Sequence, residues 1–228
     1  MTNEFVAPGG EAVARYVWYA AYGSNTHTAR FDYYRLGGTP PATAHHYPGF
    51  RDRTPPASIA PLTLPGSLYF AWQSPVWTGG VAFYTDRPAA GWPTGVAARG
   101  YLLTVGQFGD LLAQEMYRRP GTDFDPAPVL TEGAVRLGPG RYETVLHAGT
   151  VEEIPVLTFT APWHPETVVL QRPSARYLAM IADGLRAAHG WDTERIVRYL
   201  VVLPGVATHW TEPELRAALT DGKGLDLR

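Results

Sequence analysis

From Arg15 to Ala21 the chain reads RYVWYAA, apolar or aromatic at nearly every position. A strand with one wet face alternates, whereas a strand covered on both faces reads as a continuous apolar run. The stretch therefore predicts a strand buried on both sides, and it leads straight into Tyr22-Gly23-Ser24-Asn25. Thr26 to Leu36 predicts a helix, with Ser24, Asn25 or Thr26 each suited to cap it and Gly37-Gly38 as its stop. Ser67 to Gln73, Gly80 to Thr85 and Val96 to Thr104 read as strands. From Gly106 to Tyr117 the period changes: Phe108, Leu111, Leu112 and Glu115 fall at i, i+3, i+4 and i+7, one face of a helix. Tyr142 to His147 and Ile154 to Thr160 predict two meander strands joined around Gly149. Pro173-Ser174 opens a helix with Tyr177, Leu178, Ile181 and Leu185 on one face, ending near Gly190. Asp192 or Thr193 opens another, stopped by Pro204-Gly205, and Thr211 with Glu214 forms a capping box before Leu215 to Leu219.

Between these elements, residues 38–66 are rich in Pro and Gly and hold His45-His46 and Arg51-Asp52-Arg53, which predicts mostly loop with a short strand. Strands fill the first two thirds and helices the last third. That order predicts an α+β domain with helices packed on one side of a curved sheet. Residues 1–13 read as a flexible tail, and no linker divides 14–228, which is taken as a single domain. The opening MTNEFVAPGG has neither the basic start nor the apolar core of a signal peptide.

Composition narrows the function. The formal net charge is −2, so no basic footprint for nucleic acid or an anionic membrane is expected. Nothing approaches 18 consecutive apolar residues, so no membrane span is expected. With 24 Gly and 21 Pro spread between apolar runs, the chain predicts many turns rather than a disordered tract. There is no cysteine, which removes disulfides, thiolate nucleophiles and cysteine-held zinc, and fits a reducing cytoplasm. The sequence contains no H-E-x-x-H, no G-x-x-x-x-G-K-[ST] and no G-x-S-x-G. His45 and His46, if extended, point to opposite faces and make a poor chelating pair, so no metal site is expected. The seven Trp and thirteen Tyr, without a basic patch, read as core or pocket packing.

Two places carry candidate chemistry. After the first strand, Gly23 permits close backbone approach, and the unpaired amides that open the next helix suit a carboxylate or a developing oxyanion. An ordinary helix-capping turn has the same pattern. The second place is Glu115, which shares the apolar stripe of Phe108, Leu111 and Leu112. A carboxylate facing the interior has a raised proton affinity, the condition for general acid–base work near neutral pH. The competing reading is a helix-end glutamate paired with Arg118 or Arg119. Asp110 lies about 140° around the helix and is no second carboxylate on that face.

An aromatic strand, then Y-G-S-N, then a helix resembles the start of γ-glutamylcyclotransferase-like proteins; here it reads Trp18-Tyr19-Ala20-Ala21-Tyr22-Gly23-Ser24-Asn25. Gly100-Tyr101-Leu102-Leu103 leading to Leu111-Leu112-Ala113-Gln114-Glu115-Met116-Tyr117 resembles the family's strand and acidic helix end, with Met116 where glycine often follows the glutamate. Arg141-Tyr142-Glu143 to Val145, Val156 to Thr160 and Pro173-Ser174…Tyr177-Leu178…Gly184 resemble its last strand pair and terminal helix. The resemblance spans residues 15–203 loosely. It implies a γ-glutamylcyclotransferase-like fold: a curved mixed sheet or small barrel, flanking helices and a helical C-terminus.

The reaction it implies is intramolecular aminolysis. A γ-glutamyl amide closes to 5-oxoproline and releases an amine. Glu115 is the implied general acid/base, and Tyr22, Gly23, Ser24 and Asn25 are the implied substrate-binding residues, with no metal or organic cofactor. The partner is then a small γ-glutamyl molecule. A ligase-like or hydrolytic relative on the same fold, or a non-catalytic binding module that keeps the pocket, are the alternatives. At least one of two segments, the insert at about 40–65 or the stretch from Trp72 to Trp92, is expected to rim the pocket, so that the leaving amine is larger or more aromatic than a simple amino acid.

Overall fold

The computed structural model describes residues 4–6, 12–41 and 43–220. Two short strands, β1 (Glu4–Val6) and β2 (Ala12–Ala14), pair antiparallel. The rest of the stretch read as a tail over 1–13 lies outside the described residues. β3 (Tyr16–Ala21) follows and is buried along almost its whole length.

Alternation along β3 sends its side chains into two separate cores. Trp18, Ala20 and Tyr22 belong to one; Val17, Tyr19 and Ala21 belong to the other. Each face of the strand must therefore be roofed, and helices pack on both sides rather than on one. On the Tyr19 side lie α1 (Thr28–Leu36) and α2 (Val105–Glu115), through Phe31, Tyr34, Phe108, Leu111 and Leu112. On the Trp18 side lie α4 (Ala175–His189), α5 (Thr193–Val201) and α6 (Glu212–Thr220), together with the hairpin β5 (Ser67–Ser74) and β6 (Gly79–Thr85).

The main sheet has six strands in the order β4 (Ser58–Leu64), β7 (Val96–Thr104), β3, β10 (Ile154–Thr160), β9 (Thr144–Val151), β8 (Ala134–Arg136). Only β3 and β10 pair in parallel, with Trp18 opposite Val156 and Tyr19 opposite Leu157. Among the described residues the sheet is thus mixed and open, with β4 and β8 at its edges and no closed barrel. A short helix, α3 (Ala127–Glu132), precedes β8.

Two local departures from the expected elements shape the site. The helix expected over 26–36 is split: Ser24–Thr26 forms one 3-10 turn, His27 is extended (φ −84°, ψ 119°), and α1 begins at Thr28. Thr26 is buried and its Oγ1 donates to the Gly23 carbonyl at 2.8 Å, which folds the loop back on itself. At the other element, a Thr104–Gln107 capping box opens α2. The helix closes with the Arg118 amide on the Ala113 carbonyl (2.8 Å) and the Tyr117 amide on the Gln114 carbonyl (3.1 Å). This is a Schellman ending whose left-handed residue is Tyr117 (φ 57°) instead of the usual glycine. Among the described residues no helix is long and apolar enough to cross a membrane.

Candidate active site

The loop at the end of β3 and the end of α2 meet across a cavity of about 130 Å³. Tyr22, Gly23, Ser24, Asn25 and Glu115 all line it. Asn25 Nδ2 donates to Tyr19 Oη at 3.2 Å and to Glu115 Oε1 at 3.4 Å, although 90 residues separate Asn25 from Glu115. The loop is held from several sides. Tyr22 Oη donates to the Phe159 carbonyl (2.7 Å), and Tyr101 Oη donates to the Asn25 carbonyl (2.7 Å). Gly23 lets the chain pass close to α4, where a Cβ would lie 3.0 Å from Tyr177 Oη.

Glu115 faces this cavity because it ends the apolar stripe of α2. It accepts a hydrogen bond from Asn25 at 3.4 Å, and the Tyr34 hydroxyl lies near enough to favour its charged form. Arg118 instead approaches Glu143 at 3.6 Å, so the helix-end pairing with Glu115 is not formed there. Burial pushes the Glu115 carboxyl above its ordinary range; the Tyr34 hydroxyl, the charges of Arg30 and Arg141, and Asn25 act in the opposite direction.

The floor of the cavity contains groups that the sequence pattern does not single out. Arg30 on α1 is only 8% exposed, and its Nη2 donates to Tyr47 Oη at 2.5 Å. Its guanidinium also lies over the rings of Tyr34 (5.0 Å) and Tyr47 (4.8 Å). Burial opposes its charge, yet Tyr34, Tyr47 and Glu115 hold it firmly protonated. The one signal available was its place beside Phe31 on a helix whose Phe31 and Tyr34 are three residues apart.

The mouth is aromatic and cationic. Arg141 stacks on Trp72 at 4.1 Å, lies 5.2 Å from the Tyr117 ring and hydrogen-bonds its hydroxyl. Trp72 (φ 55°) sits at a bulge between Ala71 and Gln73 in the β5–β6 ladder, so Trp72 and Tyr117, two of the three rings around Arg141, have left-handed backbone. Nearby, Arg176 lies 5.4 Å over Trp77, whose ring is 4.9 Å from Tyr177. The insert contributes Pro40, Thr43, His45 and Tyr47 to the wall. His45 lines the cavity, while His46 Nδ1 is 3.1 Å from Thr39 Oγ1, and no metal-holding cluster of His, Asp or Glu occurs among the described residues.

In fold, this chain is similar to γ-glutamyl cyclotransferase. The solved structure of that name matches at 16% identity and a TM-score of 0.46, covering 91% of this chain and 99% of its own. An uncharacterised human protein of known structure matches at 17% identity and a TM-score of 0.48, covering 90% and 99%. Along 154 residues, 63% of this chain, the sequence is 34% identical to histone deacetylase 5 of Arabidopsis thaliana, spanning 23% of that protein's length. No family model matches. Likeness at these levels leaves the chemistry to be argued from the cavity's own residues.

Proposed function

We propose that the chain cyclises a γ-glutamyl amide to 5-oxoproline and releases an amine. The observation that carries this reading is the meeting of Asn25 and Glu115 in one cavity at the end of β3. The substrate's α-amine attacks its own side-chain carbonyl, a C–N bond closes the five-membered ring, and the C–N bond to the leaving amine breaks. One proton must move from the attacking nitrogen to the departing one. Ionised Glu115 takes it from the first and gives it to the second. The raised proton affinity of the half-buried carboxyl suits both halves of that transfer.

The rest of the site positions the substrate. Folding a flexible glutamyl chain into its attack geometry removes a large entropic part of the barrier. The Gly23–Asn25 backbone borders the space where the carbonyl oxygen gains negative charge, and amides there would stabilise it. Tyr19 and Tyr22 wall off water. Toward solvent, Trp72, Trp77 and Arg141 offer flat faces and positive charge to the leaving amine.

The test is incubation of the protein with a panel of γ-glutamyl amines, with 5-oxoproline read by mass spectrometry. Stoichiometric release of 5-oxoproline and amine from at least one member is expected. A folded protein that produces none from any member overturns the reading.

A further inference from the structure

Two side chains that line the cavity each hold a buried polar atom with no hydrogen-bond partner among the described residues: Nη1 of Arg30 and Oδ1 of Asn25. Their residues are 8% and 5% exposed. Buried polar groups are nearly always paired, and an unpaired guanidinium nitrogen is among the costlier exceptions. Arg30 joins no ion pair among the described residues; Nη2 is held by Tyr47, and the guanidinium packs against the Tyr34 and Tyr47 rings, which themselves touch at 4.5 Å between centroids. One nitrogen of a fixed cation is thus left as a donor, and one amide oxygen is left as an acceptor, beside the Glu115 carboxyl.

That combination selects its ligand by charge. A cationic molecule would meet Arg30, and a phosphate would meet Glu115. A ligand carrying one carboxylate and one amine satisfies both, with the carboxylate at Arg30 and the amine's hydrogens at Asn25 Oδ1 and Glu115. We infer that Arg30 is a specificity-determining residue that reads the free α-carboxylate of the glutamyl group, while Asn25 Oδ1 orients the α-amine. The inference rests on the cyclisation reading for the identity of that group. Its consequence is that only a glutamyl residue with both α-groups free enters; one whose α-carboxyl is amidated is refused.

The experiment compares γ-L-glutamyl-p-nitroanilide with its α-carboxamide in turnover, and 5-oxo-L-proline with 5-oxo-L-prolinamide in calorimetric binding. The native protein should lose roughly 10- to 100-fold in kcat/KM on the carboxamide, the usual effect of removing a charge-assisted hydrogen bond. Arg30→Met should lose about as much on the free acid and no longer distinguish acid from amide. Arg30→Lys, which keeps the charge without the fork, should regain part of the preference. If Arg30→Met does not fold, the native protein and Arg30→Lys decide. Preference for 5-oxo-L-proline without turnover of any amide supports Arg30 and sinks cyclisation. Turnover of acid and carboxamide alike, or an Arg30→Met protein that keeps the preference, overturns the role of Arg30 and leaves cyclisation standing.

Discussion

The Glu115 carboxyl accepts a hydrogen bond from Asn25 and is favoured in its charged form by the nearby Tyr34 hydroxyl, Arg30 and Arg141, yet burial outweighs them and raises its proton affinity. If the ionised form does the work, activity falls as pH drops through that raised folded pKa, and the fall begins above the ~4.3 of a free glutamate. Stability runs the other way. The folded carboxyl keeps its proton to higher pH than the unfolded one, so between the two pKa values the native state binds more protons and stability declines as pH rises. Urea unfolding of the native protein and of Glu115→Gln across that window should show the native protein's relative stability sloping downward with pH; an upward slope contradicts the assignment. Glu115→Gln should also lower kcat by about 10²–10⁴ with the fold intact. The exposed Glu132→Gln is the fitting control. Asp110, on another face of α2, is unsuitable: it is 1% exposed and accepts the Arg51 amide (2.7 Å) and Nε (2.9 Å), tying the insert to the helix. The inward aim of Glu115 was legible because a charged residue stood in an apolar stripe. Arg30 was not, because a charged residue next to a stripe reads as solvated until Tyr34 and Tyr47 are seen to pack against it.

At the scale of elements, Val96–Thr104 and Ile154–Thr160 fall where the apolar runs place them. β4 is harder to read, since it is an edge strand with exposed alternate positions and Pro61 within it. α3 escapes notice because it has six residues and begins at a proline cap. The bulge at Trp72 has no sequence signature at all: a bulky residue at φ 55° runs against local preference and is kept by its packing on Arg141. That cost is understandable if the indole serves the leaving amine. Trp72→Gly accepts the same backbone and removes the face. It should bind 5-oxo-L-proline as the native protein does, while the native preference for γ-glutamyl anilide over γ-glutamyl ethylamide shrinks by roughly 2- to 10-fold, the size of a contact between two aromatic rings. An unchanged preference would show that the bulge serves packing alone.

Over the whole molecule, the site lies where the two cores meet. β3 sends Tyr19 into one core and Trp18 into the other, and its last turn opens between them. α2 brings Glu115 from the first layer, and α4 presses on the loop from the second. The two-sided burial of β3 was plain in RYVWYAA, but that run does not say which helix covers which face, and the helices were expected on one side only. The contact that joins the layers is Gly184 of α4. A Cβ there would lie 2.2 Å from Thr26 Oγ1 and 2.6 Å from the Thr26 carbonyl carbon, and the Gly184 carbonyl is held by Arg99 Nη2 at 3.1 Å. Alanine at 184 must therefore push α4 away from the 3-10 turn that carries Asn25. Overpacking of this kind costs about 1–3 kcal/mol, which lowers the urea midpoint without abolishing the fold. Turnover should suffer more than stability, because a displacement near 1 Å between Asn25 and Glu115 can cost about 10²-fold in rate. Gly121→Ala supplies the contrast, since a Cβ at Gly121 meets nothing within 4 Å and should leave both measurements unchanged. If Gly184→Ala unfolds earlier in urea yet cyclises γ-glutamyl amides at the native rate, the loop takes its position from β3 and Tyr101 alone, and α4 is only a roof.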